Sequence, residues 1–179
     1  AITKYSVEDC LGGAPANVAC GLARLGTKVA FIGRIGEDNI GLQFKGLFDA
    51  RGVNCQGLQV DVKRPTRIVL VKRNIDGDRS FQGFEGDCGN GFADQALDLN
   101  LIKNVWTSLS CNAKWLVLGT LSLSAEISAK TIIWCLENAF QNKIKVALDL
   151  NWRPTFWNSA YSPDSGPTLS DYQTIKSVF

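Results

Sequence analysis

Histidine and methionine are both absent from this 179-residue chain. Without an imidazole, the polypeptide can hold no Ser-His-Asp or Cys-His nucleophilic pair and no His-ligated metal site. Any chemistry must come from carboxylates, Lys, Arg, backbone amides or a bound cofactor. Without methionine at Ala1, a native start is not expected to be shown, and a targeting segment cannot be read. No apolar run approaches the roughly 18 residues that a membrane span needs, so no membrane partner is expected. Charge of one sign is also lacking. Lys and Arg number 19 against 17 Asp and Glu, a formal net charge of +2. No basic stripe interleaved with aromatics appears, and nucleic acid is not the natural partner. The six cysteines, Cys10, Cys20, Cys55, Cys88, Cys111 and Cys135, contain no C-x-x-C pair. Zinc is thus poorly supported and no metal ligand is assigned. They read as thiols of a reducing compartment rather than as a disulfide framework. The absence of an N-x-[ST] site agrees with an intracellular address.

What is present is a globular composition, 45% hydrophobic and 20% charged, enough to bury a sizeable core. The most informative run is Leu11-Gly12-Gly13-Ala14-Pro15-Ala16-Asn17-Val18-Ala19. Two glycines let a ligand approach the backbone, and proline suits the start of a helix. Asn17 in the first turn would offer a donor and an acceptor to a polyol. The alternative is an ordinary Gly-rich turn opening a core helix.

A helix is expected over Ala14 to Leu25, ended by Gly26. A buried strand over Lys28 to Ile32 comes next. Gly33 through Ile40 is then a loop, followed by a second helix at about Gly41–Ala50 that stops near Gly52. This rhythm argues for a parallel sheet with crossover helices. Residues 3–10 form a possible strand. Thr66 to Lys72 and Arg79 to Phe84 flank the turn-forming cluster Asn74-Ile75-Asp76-Gly77-Asp78, a β-hairpin signal. Two short helical pieces fit Phe92–Leu109. Strands fit Lys114–Leu118 and Ile144–Leu150, with the longest helix over Ser124–Asn142 between them. Asn158–Pro167 reads as a loop and Leu169–Phe179 as the start of a helix. No internal repeat appears, and one domain spanning 1–179 is the economical organisation.

Gly119-Thr120-Leu121-Ser122 and the alternating Asp149, Asn151 and Arg153 follow two of these strands at their carboxyl ends, the edge where open α/β sheets bind ligands. An acid, an amide and a guanidinium there suit a polar, phosphate-bearing ligand. A loop salt bridge between Asp149 and Arg153 is the competing explanation. The loop from Gly33 through Gly36, Glu37 and Asp38 to Gly41 is not a phosphate loop, because Leu42 and Gln43 stand where Gly-Lys-Ser/Thr would. Gly33 and Gly41 read as turn and helix-entry residues.

The stretch GGAPANVACGLARLGTKVAFIGRIGEDNIG resembles the N-terminal signature of the PfkB (ribokinase-like) sugar kinases. Asp149-Leu150-Asn151-Trp152-Arg153-Pro154-Thr155-Phe156-Trp157 resembles a segment of their fructokinase and ketodeoxygluconate-kinase branch. The resemblance implies a ribokinase-like α/β fold, with a mostly parallel sheet flanked by helices and a small β lid formed by about 3–10 and 66–84. It implies an ATP-dependent sugar kinase, a fructokinase in the first place, with ATP and Mg²⁺ as cofactors. Ketodeoxygluconate kinase and a non-catalytic structural subunit are the alternatives. Gly12, Gly13 and Asn17 match positions that contact sugar hydroxyls, and Arg153 matches an Arg near the substrate and the transferring phosphate. Phe81 or Phe84 would cover the sugar from the lid.

The family's upstream sugar-binding Asp has no counterpart in this chain. The downstream Asn-x-x-Glu and Gly-Ala-Gly-Asp segments, the latter carrying the general base, also have none before Phe179. The C-terminal nucleotide-binding part is therefore expected to lie outside the chain, and the isolated chain is expected to be inactive. A homodimer through the lid, in the cytoplasm or plastid stroma, is what the resemblance implies for assembly and location.

Overall fold

The computed structural model describes residues 10–73, 79–162 and 164–176. Helix α1 (Ala14–Arg24) starts at Gly13, whose φ of 112° lies where residues with a Cβ are strained, and takes Pro15 in its first turn. Its buried Ala16 and Ala19 pack with Phe48 and Val53. Phe48 lies on helix α2 (Asn39–Arg51), whose N-terminus is capped by Asp38 and whose chain leaves at the left-handed Gly52. Both helices fall where periodicity and caps put them.

Between them, strand β1 (Ala30–Gly36) runs further than expected. Gly33, read from sequence as a turn, is extended and pairs with Leu58. Its partner, the parallel strand β2 (Asn54–Asp61), was not anticipated at all. The reason is chemical. The buried positions of β2 are Gly57, Gln59 and Asp61, while Val60 is exposed, so the usual apolar-inside pattern is inverted. Gln59 substitutes for an apolar core residue by pairing with backbone. Its amide donates to the Asp98 carbonyl at 2.8 Å, and its carbonyl accepts from the Asp98 N–H at 2.8 Å.

The hairpin is present as antiparallel strands β3 (Ile68–Arg73) and β4 (Arg79–Glu85). Its expected turn at 74–78, and the strand expected over 3–10 apart from Cys10, lie outside the described residues. A short 3-10 turn (Ala93–Ala96) then leads to α3 (Leu99–Ser110), capped by Asp98. Strand β5 (Trp115–Gly119) pairs in parallel with β6 (Lys145–Asp149), and α4 (Glu126–Gln141) crosses between them.

Leu97, Ile102, Trp106 and Cys135 form the core beneath β5 and β6. Ile32 of β1 and Leu116 of β5 both pack on it, so the two parallel pairs share one core. The short helix α5 (Pro154–Trp157) and α6 (Leu169–Lys176) follow. On the face of the β5–β6 pair turned away from Leu116, Trp115 and Val117 are exposed. Parallel sheets elsewhere bury both faces.

Candidate functional site

Three segments carry the residues singled out from sequence: the start of α1, the carboxyl ends of β5 and β6, and the hairpin. At the start of α1, Gly12 and Gly13 are exposed, and a Cβ on Gly13 would meet nothing within 4 Å, leaving open space over the backbone. Asn17 N–H donates to the Gly13 carbonyl at 2.9 Å, which fixes the glycine bend to the first turn. The Asn17 side chain is exposed and lines a cavity of about 230 Å³ between α1 and α2, together with Cys20, Arg24, Phe44 and Arg51. Gly12, Gly13 and Asn17 are thus one unit. No hydrogen bond joins it to Arg153 among the described residues.

At the carboxyl ends of β5 and β6, Gly119 lies opposite Asp149. The buried Thr120 donates its hydroxyl to the Leu150 carbonyl at 2.7 Å, pinning the two strand ends together. Asp149 accepts from the Asn151 N–H at 3.1 Å, a local turn rather than a bond across the loop. Arg153 is exposed and donates only to the adjacent Trp152 carbonyl among the described residues. The competing Asp149–Arg153 salt bridge is not among the ion pairs of the described residues, and the guanidinium keeps donors for a ligand.

The hairpin contributes aromatics. Val69 lies opposite Phe84 and Leu70 opposite Gly83, but Val71 lies opposite Phe81. This bulge, with Gly83 at φ 135°, places Phe81 and Phe84 together although they are three residues apart. Their rings meet edge to face at 5.0 Å. Both turn toward Phe156 of α5, with centroids at 6.2 and 4.7 Å. Phe81 and Phe84, one or the other of which the resemblance offers as a cover for the sugar, therefore both pack against the turn that carries Arg153.

Two charged knots, unrecognised from sequence, join this hairpin to the sheet. Asp38 accepts from the Thr66 N–H at 2.6 Å, the Thr66 hydroxyl at 2.9 Å and the Gly41 N–H at 2.7 Å. Thr66 in turn accepts from the Gly36 N–H at 2.9 Å. A Cβ on Gly36 would sit 2.6 Å from the Thr66 nitrogen, so only glycine admits this approach. Burial pushes the Asp38 carboxyl up, but these donors outweigh it and its pKa lies below the ordinary value.

Asp61 is almost wholly buried between Arg34 at 3.1 Å and Arg64 at 3.2 Å, and also accepts from the Lys63 and Arg64 N–H groups. Burial raises this carboxyl too. The backbone donors and the Arg34 and Arg64 guanidiniums more than reverse it, and the pKa is lowered. The GEDNIG loop and the acid ending β2 were the available signals for these knots, but their partners are distant in sequence.

Metal and thiol chemistry find little here. Among the described residues no group of three or more Cys, Asp or Glu side chains comes together as a metal cage. Burial pushes the Cys135 thiol up to about 12, which keeps it inert. Among the described residues no helix is long and apolar enough to cross a membrane.

Comparison with known proteins places the chain's family and fold. The model of the pfkB family carbohydrate kinases matches residues 3–174. A fructokinase of Solanum tuberosum is 32% identical over 165 residues, covering 90% of this chain and 49% of its own. The structure of fructokinase with bound ATP from Xylella fastidiosa superposes with a TM-score of 0.78 at 26% identity, over 99% of this chain and 54% of that one. The fructokinase of Vibrio cholerae O395 in its fructose-, ADP- and calcium-bound form gives 0.67 at 28% identity, over 85% and 46%. The chain spans about half the length of these relatives. Its architecture is that of the ribokinase-like sugar kinases, and the chain belongs to the pfkB family of carbohydrate kinases.

Proposed function

We propose that this chain is the sugar-binding portion of an ATP-dependent sugar kinase, with D-fructose as substrate and fructose 6-phosphate as product. The observation that carries this reading is the guanidinium of Arg153, just past the carboxyl end of β6 on the turn whose Phe156 meets Phe81 and Phe84, and held by no carboxylate among the described residues. The open backbone at Gly12 and Gly13 supports the same reading. Relatives named as fructokinases, one of them solved with fructose and ADP, support the choice of sugar.

In this reading the exposed Asn17 amide orients sugar hydroxyls by donating and accepting at once. Arg153 offers its planar fork to the phosphate as charge develops. Phe81 and Phe84 exclude water from above. ATP, when bound with Mg²⁺, supplies the γ-phosphoryl group. The described residues form no cage for the metal, and phosphoryl transfer depends mainly on positioning and electrostatics. On this reading the isolated 179-residue chain should release no ADP in the presence of fructose.

A ketodeoxygluconate kinase is the second reading, favoured by the same unpaired guanidinium, because a sugar acid brings a carboxylate that Arg binds in a bidentate manner. A substrate panel on a full-length protein carrying this sequence decides between them: turnover of ketodeoxygluconate without fructose would exclude the first. A fructokinase-like subunit without catalysis would give neither. Exposed Val69, Leu70 and Val71 on β3 support a homodimer through the lid. A location in the cytoplasm or plastid stroma completes the proposal.

A further inference from the structure

Arg67 stands at the foot of the hairpin, one residue before β3, with a side chain only 11% exposed. Its guanidinium carbon lies 4.7 Å from the Phe84 ring centre, 4.4 Å from Phe92 and 5.1 Å from Phe156. Its Nε reaches both carboxylate oxygens of Asp94, at 3.0 and 3.3 Å. One cation thus touches β4, the 3-10 turn and α5, three segments with no sequence neighbourhood in common. The planar, weakly hydrated guanidinium suits this place; a lysine ammonium would keep the charge but lose the stacking and the fork.

We infer that Arg67 is a positioning residue that sets the lid and the Arg153 turn as one unit. This rests on the reading of Arg153 as a substrate residue. The coupling has a physical route. Phe156 N–H donates to the Arg153 carbonyl at 3.0 Å, and the Phe156 ring meets Phe84 at 4.7 Å and 86°. Displacing the ring on one side moves the Arg153 backbone, and on the other frees β4. The neighbouring Thr66 is already tied to Asp38, so the hairpin foot cannot slide to compensate. Lid aromatics and the substrate guanidinium then reach a ligand in a fixed mutual geometry.

Hydrogen–deuterium exchange on the 179-residue chain tests this without any sugar. Arg67→Ala should speed exchange roughly tenfold in 68–73, 79–85 and 152–158, with α1 and α3 unchanged. The Trp152–Trp157 ring pair, 5.3 Å apart on the same turn, should report the loosening as a shift in tryptophan emission. Arg67→Lys should recover less than half of the lost protection, because it restores charge without stacking. Coupling is reciprocal, so Phe156→Leu should in turn speed exchange in the hairpin, which keeps the test open if Arg67→Ala fails to fold. Acceleration confined to the mutated segment, in either variant, would overturn the inference, as would full recovery with lysine. A failed fructose titration would sink the proposed substrate and leave these exchange outcomes intact.

Discussion

The α1–α2 side of the molecule and the foot of the hairpin are held by different forces. On the first side, Phe48 is 1% exposed and packs with Ala16, Ala19 and Val53, with Phe31 and Phe44 rings at 4.7 and 6.1 Å. Non-directional apolar burial does the holding there. At the hairpin foot, the joints are Asp38 on Thr66, Asp61 between two arginines, and Arg67 among three phenylalanines. Those joints are directional, so they fix geometry where the candidate site needs it, and they respond to charge. The difference teaches that a framework and a positioning device can be told apart by which perturbation each one feels.

The largest expected effect belongs to the framework. Phe48→Ala should cost about 3–5 kcal/mol through lost burial and a cavity, seen as a lower melting temperature at every pH and salt concentration. Asp61→Ala comes next, at about 3 kcal/mol, because it leaves the Arg34 and Arg64 charges without their buried partner. Its signature should be early loss of exchange protection at 61–66 and 90–96, since Arg34 also donates to the Ala96 carbonyl and Arg64 to the Asn90 carbonyl. If Asp61→Ala and Phe48→Ala loosen the same segments equally, the division into framework and joint fails.

Acid should give the smallest and most selective effect. Asp38 and Asp61 both have folded-state pKa values below the ordinary carboxylate range. Their contribution is therefore complete above the unfolded value near about 4 and is lost as pH falls through the lower folded values. Exchange measured from pH 6 downward should show the hairpin foot opening before the α1–α2 side. Simultaneous opening would contradict the separation.

How much of this could be read from the chain follows from the same physics. Helices α1 and α2 announce themselves through Pro15, Gly26, Gly41 and Gly52 and through apolar spacing, all local signals, whereas the Asp38 cap that starts α2 two residues before Gly41 was not read. The hairpin was legible from two β-type runs about a turn cluster, and the sugar-kinase resemblance from two ordered motifs. Strand β2 was not legible, because Gln59 and Asp61 are buried by pairing with distant backbone and arginine rather than by being apolar. Gly33 misled because a glycine after an apolar strand usually marks its end, whereas here β2 carries the pairing on to Gly36. The Arg67 cage was invisible for a further reason. Phe92 and Phe156 reach it only after the chain has folded, and no spacing rule connects them. Gly12, Gly13, Asn17 and Arg153 could be nominated one by one, yet the joints that tie the hairpin foot to the Arg153 turn could not.

The most direct test of the account is calorimetric titration of the chain with fructose, alongside Asn17→Ala and Arg153→Ala. Both substituted side chains are exposed, so neither change should lower the melting temperature. The account predicts saturable heat for the unaltered chain and a loss of affinity of roughly tenfold or more in each variant, the range expected when one ligand hydrogen bond is removed. Binding that survives both substitutions unchanged, or no binding by the unaltered chain, would contradict it.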